Sequence, residues 1–155
     1  MSRRDYAETI VREVCETLGI AGLGLDDNGL LSLTFGDVLV TVGYSESPIE
    51  QVSVYVDLGA IPDDRKGIAD LLLEVNLQSW LQQCMTIGLD PGGARVVGWN
   101  LVPLVELKAP ALEAVLRTML QAAPGIRSML ETPGPSSGAA DSPKGSVHRG
   151  TAVKA

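Results

Sequence analysis

Val52-Ser53-Val54-Tyr55-Val56-Asp57-Leu58 places an aliphatic side chain at every second position, with polar or amphipathic residues between. Successive side chains of a strand point to opposite faces, so this run is a strand with one buried face and one wetter face. Such alternation is the habit of antiparallel sheets, since parallel strands covered by helices on both faces read as unbroken apolar runs. Before this strand, Ser45 to Glu50 is a polar loop containing Pro48, and before the loop Val38, Val40, Val42 and Tyr44 alternate with Leu39, Thr41 and Gly43. Gly36-Asp37 turns that strand back onto Leu31, Leu33 and Phe35, which alternate with Leu30, Ser32 and Thr34. Asp26-Asp27-Asn28-Gly29 is a further turn of residues that tolerate positive φ, and Leu23 and Leu25 ahead of it make the first arm of a hairpin. Four strands are therefore expected in a row.

Helical periodicity flanks them. From Arg4 to Leu18 the apolar residues Ala7, Ile10, Val11, Val14 and Leu18 recur at helical spacing, opposite Glu8, Arg12, Glu13 and Glu16, and Gly19 supplies the stop. Pro62-Asp63-Asp64 opens a second helix, its acids placed where the helix dipole favours them. That helix has two apolar stripes, Ile68, Leu71, Leu72 and Val75 on one side and Leu73, Leu77, Trp80 and Leu81 on another, so it needs two partners. The sheet can cover one; a second copy of the helix across a two-fold axis is expected to cover the other. Met85, Ile87 and Leu89, the turn Asp90-Pro91-Gly92-Gly93, and Val97, Trp99 and Leu101 read as a second hairpin. A last helix begins near Pro110, carries Leu112, Val115, Leu116, Met119 and Leu120 on one face, and is expected to break at Pro124-Gly125, with one more turn through Met129-Leu130. The expected fold class is α+β, a twisted antiparallel sheet flanked by helices in the order α-β-β-β-β-α-β-β-α, assembled as a homodimer.

The chain has 155 residues, room for one domain with a real core, and a formal charge of −7. Residues 132–155 shift to Pro, Gly, Ser and Ala and carry three cations and one anion, which leaves residues 1–131 at −9. The division expected is a folded domain over 1–131 and a disordered tail over 132–155, because the tail has too few large aliphatics to offset its chain entropy. With only the isolated pairs Arg3-Arg4 and Arg65-Lys66, the chain lacks the basic patch that nucleic-acid binding requires. No apolar run approaches the ~20 residues that span a bilayer, and the first residues are charged, so no membrane insertion and a cytoplasmic location are expected. Cys15 and Cys84 have no CxxC spacing and read as buried free thiols.

Catalytic chemistry is hard to assemble from these residues. The single histidine, His148, lies in the tail, which excludes Ser-His-Asp and Cys-His sites on the folded part. Asp26-Asp27 suits a turn and Asp63-Asp64 a helix start. Counted from Asp26, a calcium loop would need glycine at the sixth position and glutamate at the twelfth, where Leu31 and Asp37 stand. Gly92-Gly93 follows a strand but precedes another strand, so no helix N-terminus is there to cradle phosphate. No cofactor, no metal and no enzyme activity are expected. What is in excess is apolar side chain, and contiguous apolar surface on a soluble protein marks interaction sites.

Several strings resemble the class I type III secretion chaperones, the small acidic proteins that include the chaperone of the intimin receptor. They are Val14-Cys15-Glu16-Thr17-Leu18-Gly19-Ile20, Leu31-Ser32-Leu33-Thr34-Phe35, Leu71-Leu72-Leu73-Glu74-Val75-Asn76-Leu77, Ile87-Gly88-Leu89-Asp90-Pro91 and Leu101-Val102-Pro103-Leu104. The likeness runs from about Tyr6 to Leu130 and rests on the order and spacing of the strings together. Trp80 to Cys84 departs from it by lacking glycine, so the central helix is expected to run longer. The resemblance implies a homodimer that binds the N-terminal segment of one or more secreted effectors in extended form, and a family contact with the export ATPase. Extended peptides add to sheet edges by backbone bonds while their side chains enter grooves, which suits these expectations. Ile10, Val14, Leu18, Leu23, Leu31, Leu33 and Phe35 are then expected in the effector groove, and Leu73, Leu77, Trp80 and Trp99 at the dimer contact. Two rival readings are an adaptor domain of similar architecture without a secretion client, and a carboxylate-only hydrolase around Asp57 or Asp90, which would need a polar pocket and a raised carboxyl pKa.

Overall fold

In a computed structural model of the chain, the described residues are 2–61, 67–81 and 85–131. They form α1 (Arg3–Thr17), β1 (Leu30–Phe35), β2 (Val38–Ser45), β3 (Gln51–Ala60), α2 (Ile68–Leu81), β4 (Thr86–Leu89), β5 (Arg95–Pro103) and α3 (Ala109–Glu131). The strands make one sheet in the order β1-β2-β3-β5-β4, every pair antiparallel. The class and the order of helices and hairpins are those expected, except in one segment. Leu23 and Leu25 form no strand, so three strands precede α2 among the described residues. The cause is local: Asp26 Oδ1 accepts the N–H groups of Asn28 (2.9 Å) and Leu30 (2.8 Å), and the Asp26 N–H donates to Leu30 O. The turn closes on itself, and Arg4 draws the carbonyls of Asp26 and Asp27 toward α1, each at 2.8 Å.

The alternation in β3 is realised. Val52, Val54, Val56 and Leu58 are buried, as are Val40 and Val42 opposite them, and with Leu31, Leu33, Val96 and Val102 they make one face of the sheet. Ala7, Ile10, Val11 and Val14 of α1 and Leu112, Leu116, Met119 and Ala123 of α3 complete the same core. Ser2 caps α1, its hydroxyl accepting from the Asp5 N–H while the Asp5 carboxylate accepts from the Ser2 N–H. Tyr6 Oη donates to Leu107 O at 2.7 Å and ties α1 to the loop that leads into α3.

Against expectation, α3 does not break at Pro124-Gly125 but continues to Glu131. Proline lacks the N–H that would bond the carbonyl four residues back. The packing of Ala123, Ile126 and Leu130 into the core outweighs that loss. The expected helix start at Pro62-Asp63-Asp64, Cys84 and the tail 132–155 lie outside the described residues; Cys15 is buried and free. No described helix is long and apolar enough to cross a membrane.

Candidate functional site

The two edges of the sheet differ in kind. At β4, the outward-facing backbone of Ile87 is occupied by α2: the Asn76 side chain donates to Ile87 O (2.5 Å) and accepts from the Ile87 N–H (2.7 Å). One turn on, Ser79 Oγ donates to Met85 O and accepts from the Met85 N–H at 3.1 Å. Two polar side chains of α2 thus stand in for a neighbouring strand at Met85 and Ile87. Sequence reasoning passed over both residues. The available signal was an Asn and a Ser three positions apart, hence on one helix face, directly ahead of a strand.

Among the described residues, the edge at β1 is open. Tyr44 N–H donates to Gly29 O, and both backbone groups of Leu30 bond to Asp26. Antiparallel bonding alternates along a strand, so the N–H and C=O of Ser32 and Thr34 point away from β2. An unpaired strand edge of this kind is a template for another extended chain.

The residues expected to line a client groove lie at different depths. Ile10, Val14, Leu31 and Leu33 belong to the core, none more than 8% exposed. Leu18 and Phe35 are half-buried at its border, and Leu23 is 43% exposed in the segment between α1 and β1. Leu30, on β1 itself, is also exposed and was not among those expected. On α2 the two-stripe pattern is realised: Leu72 and Val75 are buried, while Leu73 and Leu77 are 70% and 60% exposed. Trp99 sits on the sheet face opposite the core, beside Tyr55 and with its ring over Gly88. That face also carries the exposed Leu39 and Leu101. The side chain of Trp80 lies outside the described residues.

The carboxylates considered for hydrolysis are engaged in structure. Arg95 grips Asp57 with Nε at 3.0 Å and Nη2 at 2.6 Å from Oδ2, and the Gly59 N–H donates to Oδ1 across a β-bulge. Partial burial pushes the Asp57 carboxyl up, but the Arg95 and Gly59 hydrogen bonds and the charges of Arg95 and Arg127 hold it below the usual range. Asp90 is lowered by backbone N–H groups, that of Arg95 foremost. Neither shift is the upward one a catalytic acid requires. A cleft of about 230 Å³ between α2 and α3 is lined by Val75, Ser79, Ala122, Ile126 and Met129 with the amides of Gln78 and Gln121, and none of its lining side chains is ionisable.

The sequence profile of the Tir chaperone protein (CesT) family matches residues 9–127, from the first turns of α1 almost to the end of α3. The chain belongs to that family. No curated protein matches it by sequence. Solved structures of similar fold include a chain of the ExsC–ExsE complex, 22% identical with a TM-score of 0.71, covering 84% of this chain and 97% of that one. A chain of the HopA1–SchA chaperone–effector complex is 19% identical with a TM-score of 0.68, over 81% and 95% of the two chains. A chain of the ExoT–SpcS complex from Pseudomonas aeruginosa is 22% identical with a TM-score of 0.59, over 81% and 98%. At these identities the likeness is one of fold, and it extends over nearly the whole of each neighbour.

Proposed function

We propose that the protein is a type III secretion chaperone that binds the N-terminal segment of a secreted effector in extended form and keeps it soluble and competent for export. Membership of a chaperone family supports this, as does a fold neighbour solved as a chaperone–effector complex. The observation that carries the mode of binding is the asymmetry of the sheet: α2 occupies the outward backbone of Ile87 on β4, and among the described residues the backbone of Ser32 and Thr34 is open. A client strand adds at β1, with Leu18, Leu23, Leu30 and Phe35 as apolar contacts beside it and Ile10, Val14, Leu31 and Leu33 as the floor beneath. Binding an extended segment requires no catalytic group.

A homodimer formed through Leu73, Leu77, Trp80 and Trp99 completes the reading. Its support is the pair Leu73 and Leu77, four residues apart on one helix face and largely exposed on the monomer.

The test is co-expression with N-terminal segments of candidate effectors, comparing the native chain with Ser32→Pro. Proline at an outward-facing edge position removes an N–H that β2 does not use, so the sheet is retained. The expected result is a soluble, co-purifying segment with the native chain and at least a tenfold loss of affinity with the variant. Equal binding by both would overturn the edge-addition mode, and binding of no effector segment would overturn the chaperone reading.

A further inference from the structure

Leu31 and Leu33 stand on the edge strand, where among the described residues no neighbouring strand covers one flank, yet each is only 8% exposed. The segment between α1 and β1 lies over that flank. It runs back along α1: the Ile20 N–H donates to Cys15 O at 2.9 Å, a Cβ on Gly24 would stand 3.7 Å from Glu8 Oε1 and 3.8 Å from Arg12 Nη2, and Arg4 bonds the carbonyls of Asp26 and Asp27. Arg4, Glu8 and Arg12 recur every four residues and so share one side of α1. Tyr6, two residues from both Arg4 and Glu8 and therefore turned about 200° away, reaches Leu107 ahead of α3, and α3 lies over β3 and β5. The side of α1 that carries the segment is thus the one toward the β1 edge.

The segment is lightly held. Ile20 and Leu25 pack half-buried against the core, Leu23 is exposed, and among the described residues no backbone group from Ala21 to Leu25 bonds to the backbone of another element. Gly22, in its middle, has φ +85° and, beyond its chain neighbours, no atom within 4 Å of where a Cβ would stand, so backbone conformation alone sets the path there. Cys15 shares the side of α1 that the segment follows, and its thiol is buried, which pushes its pKa up. We propose that residues 20–25 are a strap that closes the α1 side of the β1 edge, and that a client opens it about Gly22 and sets apolar side chains where Ile20 and Leu25 had been. This rests on the reading of β1 as the client site and adds a gate to it. Thinly packed segments without backbone bonds open at low free energy, and the movable parts of binding sites are drawn from them. Apparent client affinity then scales with the fraction of chains in which the strap is open.

The experiment is the labelling rate of the Cys15 thiol by an aromatic disulfide reagent, on the full chain carrying Cys84→Ser, with Gly22→Ala or Gly93→Ala added. Both glycines have positive φ and open space around a Cβ, so alanine strains the backbone alike at each, and only Gly22 lies in the strap. The expected result is labelling faster by about fivefold or more in Gly22→Ala, and a rate near the parent's in Gly93→Ala, which reports any effect through global stability. Equal rates in the two variants overturn the proposal. An effector segment should also bind Gly22→Ala more tightly than the parent, by a similar factor. Faster labelling with unchanged affinity overturns the proposal too, since the strap then lies off the client's path. Binding of no effector segment sinks the client reading, a failure kept apart from the strap's because labelling is measured on the free chain.

Discussion

Asp57 shows how a side chain that resembles catalytic apparatus can be a fastener. Its carboxylate holds Arg95 across the β3–β5 pair and caps the bulge at Gly59, and Arg127 of α3 donates to its backbone carbonyl at 2.8 Å. The group's pKa is lower folded than unfolded, so its contribution is complete above the ordinary carboxylate value and is lost as pH falls through the native one. Thermal melts should therefore be flat from neutral pH down to about pH 5 and decline below about pH 4. Asp57→Asn should cost about 1 kcal/mol at pH 7, and its difference from the native chain should shrink toward pH 3. Gly98 is constrained by contact alone. A Cβ there would stand 2.2 Å from Met85 Sδ and 3.4 Å from a Leu58 methyl. Gly98→Ala should destabilise by about 1–3 kcal/mol in urea titrations, and shortening Met85 to Ala in the same chain should restore part of the loss.

Among the elements, strands were the most legible in the sequence, because a buried face writes a two-residue period that neighbouring strands repeat. Leu23 and Leu25 carry the same spacing but lose to the Asp26 side chain, which takes two N–H groups that a hairpin would have used. The continuity of α3 through Pro124 was illegible for a complementary reason: the residues that hold the helix together there act through tertiary contact, which no local propensity records. Pro124 itself is exposed, so Pro124→Ala restores a helix bond without disturbing the core and should raise stability by about 1 kcal/mol or more in chemical denaturation. The part of the site that could not be read was the bridge from α2 to β4. Asn76 stands in one of the strings that carried the family resemblance, yet its partner, the backbone of Ile87, is specified by geometry alone. Replacing Asn76 with Ala leaves two backbone groups without their partners and should cost about 2 kcal/mol; Asn76→Leu should do no better, since the loss is of hydrogen bonds and not of volume.

At the scale of the molecule, the exposed pair Leu73 and Leu77 makes assembly testable. Size-exclusion chromatography with light scattering should give a mass near twice 16.3 kDa, and Leu77→Asp should yield a monomer or an aggregate. A native monomer at micromolar concentration would remove the dimer from the reading and leave the client edge untouched. Which apolar side chains are buried and which are surface was not visible from residue types, because Leu18 and Leu23 share one hydropathy and differ only in what packs over them. The unequal edges of the sheet set a further limit, on growth. A filament of stacked sheets propagates only when every unit offers a donor edge at one side and a receptor at the other. Here Asn76 and Ser79 cover the backbone of Ile87 and Met85 on the β4 side, so copies of this sheet cannot join edge to edge through those groups. A chain that takes a strand from its cargo at β1, as proposed, is thereby kept from passing that pairing on through Met85 and Ile87 at its other edge.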